Sequence, residues 1–139
     1  MDEQASTTKA PEQLRQQLRD VRRGMLHLHK GLLDAERAAY EAVHGQLTSG
    51  EMLQLVINHE QFAWLHAISE LIVRIDELFD ADEPLTTEDA QSLLAQVREL
   101  LKPSEEGSGF QRKYYVALQR DPDAVLAHRD VTKSLGTQA

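Results

Sequence analysis

The chain has 139 residues, a net charge of −8 and no cysteine, which excludes thiol catalysis, thiolate metal sites and disulfide staples. A domain of this size buries roughly 65–70% of its unfolded surface, so it can form a core without a crosslink or a structural metal. The acidic balance disfavours a general nucleic-acid binder, because phosphate neutralisation supplies most nonspecific affinity, and the longest apolar run, LIVRI, is too short to span a bilayer.

Residues 1–9 hold no apolar run, so they read as a disordered tail and not as a secretory leader. A single helical domain is expected over 10–133, with 134–139 as a frayed end. Pro11 and Glu12 suit a first helical turn, and Leu14, Leu18, Val21, Met25, Leu28, Leu32, Ala35, Ala39 and Val43 follow at spacings of three and four. That pattern predicts one helix of about 35 residues, ended by GQLTSG. A row of small residues, Gly24, Gly31, Ala35, Ala38 and Ala42, runs beside the leucine stripe. Interior glycines cost roughly 1 kcal/mol each against alanine, so close approach of another helix would account for them.

Thr48 with Glu51 reads as a capping box opening a second long helix to about Phe79. The turn DADEP follows. Thr86 with Asp89 opens a third helix, carrying Ala90, Leu93, Leu94, Val97, Leu100 and Leu101, which Pro103 and EEGSG break. Ser108 and Gln111 cap a fourth with Phe110, Tyr114 and Tyr115. Asp121-Pro122 restarts the chain as a short fifth helix to about Val131. The expected fold is all-α and four-helix-bundle-like: two long antiparallel helices, a shorter third and a broken last helix.

The third helix is too short to cover the tip of the long hairpin. That leaves Tyr40, Val43, Leu47, Met52, Leu53 and Val56 for the last helices or a second subunit to cover. The apolar arc of the second helix is also wider than one core stripe needs. A homodimer, with this tip as its interaction surface, is the expectation.

Four polar features remain as candidate sites. Asp76 falls inside the apolar arc of the second helix, and a hairpin folded at GQLTSG brings Arg19 level with it, with Arg22 or Arg23 close by; a buried structural ion pair is expected. Ser69 shares that arc and reads as bonded back to its own helix. On the polar border the same register places His29 level with His66, and Glu70 lies four residues on. His29, His66 and Glu70 therefore have a geometry that suits one divalent metal ion. Glu36 and His59 form a second pair about 10 Å along the bundle.

The metal reading competes with plain surface pairing, which is the commoner case. Di-iron bundles need a Glu-x-x-His element from each of two helices, and the chain does not supply two. His66-x-x-x-Glu70 has a superficial look of the haemerythrins, but the third helix, AQSLLAQVRELL, contains no histidine. No cofactor is predicted. His27, His44 and His128 read as solvent-facing, and Tyr114 and Tyr115 as core and rim.

The segment PEQLRQQLRDVRRGMLHLHK carries Arg15, Arg19, Arg22, Arg23 and Lys30 against only Glu12 and Asp20. Pairing with acidic residues of the same fold is the expected use of this basic patch, ahead of RNA or DNA. The runs LHKGLLDAERAAYE and FAWLHAISELIVRIDEL resemble a group of uncharacterised bacterial all-helical proteins, over about residues 26 to 128. The resemblance implies a bacterial origin and a helical fold, and brings no catalytic residues.

The leading functional expectation is a non-catalytic interaction or regulatory module, cytoplasmic and homodimeric, with a further protein partner and neither membrane nor nucleic acid as its target. It would work through the hairpin tip and the basic patch. The alternative is a metal- or small-ligand-binding bundle, an enzyme in its strongest form, built on the histidine edge.

Overall fold

A computed structural model describes residues 8–136. Its described residues form seven helices and no strand: α1 (Glu12–His44), α2 (Ser49–Asn58), α3 (Glu60–Ala63), α4 (His66–Asp80), α5 (Thr87–Leu100), α6 (Gly109–Arg120) and α7 (Pro122–Leu135). The fold is all-α.

The helix ends are where local sequence chemistry places them. Thr48 Oγ1 accepts from the Glu51 N–H at 3.2 Å while the Glu51 carboxylate accepts from the Thr48 N–H at 3.0 Å, so two orphan donors are satisfied reciprocally. Ser108 and Gln111 repeat the arrangement at α6. Thr86 accepts from Asp89 at α5, and Asp121 caps α7 just before Pro122. α1 stops at Gly45, whose φ of 89° lies in the region that favours glycine. Arg37 and Glu41 then clamp the turn: Arg37 donates to the Leu47 carbonyl at 3.1 Å and Glu41 accepts from the Leu47 N–H at 2.8 Å.

The second long helix is in fact three pieces. The chain turns extended at His59 (φ −91°, ψ 135°), whose Nδ1 accepts from the Gln61 N–H, and tightens again before α4. Phe62, Leu65 and Ile68 are buried and spaced by three. Backbone bonds from Leu65 N–H to Phe62 O (3.2 Å) and from Ile68 N–H to Leu65 O (3.1 Å) wind this stretch at about three residues per turn. That winding stacks all three side chains on one face, where an ideal α-helix would rotate them apart. Core burial of this triplet outweighs the two lost helical bonds.

α1 runs through the centre and packs on α4, α5 and α7, with α7 as its most extensive neighbour. Its buried stripe is Leu18, Val21, Met25, Leu28 and Leu32. The stripe ends there, although the apolar pattern continues to Val43. Gln17 donates to the carbonyls of Ser134 and Leu135, and a Cβ on Gly24 would lie 3.1 Å from Val131 Cβ. α1 and α7 are thus antiparallel and closely packed.

Both ends of the chain reach further into the fold than the sequence implied. Lys9 bridges Thr86, Ala10 N–H donates to Leu85 O, and Ala10 and Leu85 are both buried. α7 continues to Leu135, which is buried and whose carbonyl accepts from Arg98 at 2.7 Å. Within the expected tail at 1–9, Thr8 and Lys9 are thus tied to the fold, the Thr8 carbonyl accepting from the Thr87 N–H at 2.8 Å, and 134–135 are helical where fraying was expected. Residues 1–7 and 137–139 lie outside the described residues.

Candidate functional site

The break at His59 frees α2 from the body. Among the helices, α2 packs chiefly on the short α3, and the His66 ring bonds the Val56 carbonyl at 3.0 Å to hold its end. Of the expected tip residues, Met52 is buried, while Tyr40, Leu47 and Val56 are half-buried. Val43 is 77% exposed and Leu53 57%. Ile57, at 56%, extends the patch. Gly50, Leu53 and Ile57 share the outer face of α2, and nothing lies within 4 Å of where a Gly50 Cβ would be. The last helices do not cover this end.

Beside the tip lies a cleft of about 650 Å³. Its floor is formed by Ala35, Ala38 and Ala39 of α1, with Trp64 as one wall and α6 as the other, and Glu36 and Asp121 also line it. Arg112, Lys113 and Arg120 line the α6 side and are exposed. Among the described residues none of the three forms an ion pair. This site was not singled out in the sequence. Its signal was nonetheless present: Arg112, Val116 and Arg120 recur every four residues, and α6 contains no acidic side chain.

The histidine edge is dispersed. His29 Nε2 bonds Ser69 Oγ at 3.1 Å, so Ser69 is tied across to α1 and not to its own helix. His66 is spent on Val56. His59 caps α3 and meets Tyr40 edge-on at 5.6 Å, and the Glu36 backbone carbonyl accepts from Gln61. Among the described residues no three His, Asp or Glu side chains converge on a point that would hold a metal ion. The His29, His66 and Glu70 triplet is therefore not assembled, because α4 sits three residues out of the expected register with α1.

The same offset moves the ion pair. Asp76 meets Arg22, with Arg22 Nε on one carboxylate oxygen and Nη2 3.4 Å from the other, while Arg19 lies over the Phe79 ring at 4.9 Å. The Asp76 side chain is 42% exposed, so the pair is partly solvated and worth at most about 1 kcal/mol. The rest of the basic patch is also paired within the fold: Arg15 and Arg19 approach Glu12, Arg23 approaches Asp20 and Lys30 approaches Asp34.

His128, expected to be solvent-facing, is half-buried with its Nδ1 2.6 Å from the hydroxyl of fully buried Tyr114. Burial raises the Tyr114 phenol and lowers the His128 imidazole. Burial, and secondarily the nearby His66, also lower His29. The unfolded chain, whose histidines titrate near their ordinary value of about 6.5, therefore binds more protons than the folded one as pH falls below that value. Stability is fully present above it and declines below it. Urea unfolding across pH 8 to 5 should show this decline, with a shallower slope in His128→Gln. An unchanged slope in that variant would remove His128 from the account. Glu51, held low by its Thr48 cap, acts in the same direction only in the lower carboxylate range.

No helix among the described residues is long and apolar enough to cross a membrane. No protein-family model, curated protein or solved structure matches this chain.

Proposed function

We propose that this chain is a non-catalytic helical interaction module that acts as a cytoplasmic homodimer. The observation that carries this reading is the uncovered apolar face formed by Val43, Leu53 and Ile57 at the tip. Single exposed apolar residues are ordinary, but Leu53 and Ile57 share one face of α2 and Val43 lies at the adjoining end of α1, a grouping that supports an interaction surface. The histidines of α1 to α4 support the same reading, since His29, His59 and His66 each bond a neighbouring group of the fold. The basic patch of α1 is engaged by its own acidic neighbours, which leaves the tip as the working surface.

Sedimentation velocity at tens of micromolar is the direct test, with a dimer expected. A monomer throughout that range would defeat the homodimer reading and redirect the tip to a different protein.

A further inference from the structure

The cleft and the tip adjoin at one end of the molecule, and each lacks what the other offers. α7 fills the groove beside α1 from Gln17 to Gly24. Followed backwards from the Gly24–Val131 contact, the antiparallel packing brings Pro122 level with the turn that holds Leu32. α1 runs on to His44, about 12 residues and about 18 Å further. Over that length the row of small residues continues without a helix on it. Gly31 has nothing within 4 Å of its missing Cβ, and Ala35, Ala38 and Ala39 form the cleft floor. The cleft is thus the unoccupied continuation of a groove that already accepts a helix.

α2 matches it in length and character. Its ten residues span about 15 Å, and its outer face carries Leu53 and Ile57 beside the unbranched Gly50. Charge supports the match. The tip carries Glu51 and Glu60 with no lysine or arginine between residues 38 and 73, whereas in the cleft the three cations Arg112, Lys113 and Arg120 outnumber the two carboxylates, Glu36 and Asp121.

We propose that two copies pair reciprocally, α2 of each lying in the α1/α6 cleft of the other. Leu53 and Ile57 sit on the alanine floor, and the acidic tip faces Arg112, Lys113 and Arg120. In this two-fold arrangement both contacts form together and the assembly closes at two copies. This rests on the homodimer reading above and assigns its contact.

The test is a charge exchange followed by sedimentation velocity. A tip variant, Leu53→Lys with Ile57→Lys, and a cleft variant, Arg112→Glu with Arg120→Glu, all alter side chains exposed in the single chain, so helicity by circular dichroism should be retained. Each variant alone should lose at least about a hundredfold in dimer affinity through like-charge contacts. An equimolar mixture should regain a heterodimer, since one contact is native and the other sets lysines against glutamates. A cleft variant that dimerises like the wild type, beside a monomeric tip variant, would overturn the cleft contact and leave a tip-to-tip dimer. Two monomeric variants that fail to recover on mixing would also overturn it. A monomeric wild type would defeat the homodimer reading itself.

Discussion

Tyr114→Ala should destabilise the fold by about 3–5 kcal/mol, the range for deleting a buried aromatic ring, while Tyr114→Phe should cost only about 1–2 kcal/mol. Tyr114 is fully buried, stacks at 5.4 Å on Phe110 and bonds His128 across the α6–α7 junction. Phe110 in turn meets Trp64 at 5.3 Å, so one chain of rings joins α7 to α6 and to the turn before α4. Alanine removes the ring and leaves a void between three elements. Phenylalanine keeps the packing and removes only the hydroxyl, leaving the His128 Nδ1 without its partner. Urea unfolding of the two variants separates packing from hydrogen bonding. Equal losses would mean that the hydroxyl, and not the ring, holds α6 to α7.

The parts of this fold that were legible in sequence are those decided within four residues. Thr48 with Glu51, Ser108 with Gln111, Thr86 and Asp121-Pro122 each mark a helix start by local hydrogen-bond chemistry, and each is found there. The break between Asn58 and His66 was not legible by the same rules, because it contains neither proline nor glycine. It follows from the spacing of Phe62, Leu65 and Ile68, a triplet that reads as ordinary amphipathic helix until its burial is known. The consequence is long-range. Across the break α4 ends up three residues out of the register that an unbroken helix would give against α1, which replaces Arg19 by Arg22 opposite Asp76 and His66 by Ser69 opposite His29. A candidate metal site that depended on register was therefore the least secure part of the sequence reading. Of the tip, which depended only on an excess of apolar length, Val43 and Leu53 remain exposed while Met52 is buried within the chain itself.

The row of small residues on α1 was visible in the sequence, and its two ends now have opposite expectations. At Gly24 a Cβ would lie 3.1 Å from Val131 Cβ and Cγ2 and 3.2 Å from its Cα. The backbone of α7 is part of that contact, so a side-chain rotation cannot relieve it. Gly24→Leu should cost about 3 kcal/mol, the upper part of the usual overpacking range, as α7 is pushed off α1. Gly31 has helical neighbours on its own strand of chain but nothing within 4 Å of the Cβ position. Gly31→Ala should therefore stabilise the single chain by about 0.5–1 kcal/mol, since alanine reduces the entropy lost on forming a helix interior. Denaturant midpoints of the two variants would read these opposite signs directly. At concentrations where two copies pair, the α2 of the second copy would lie over the groove beyond Leu32, and the gain from Gly31→Ala should shrink or reverse. The sign at Gly31 thus reports on whether α1 is covered only as far as α7 reaches, or along its whole length.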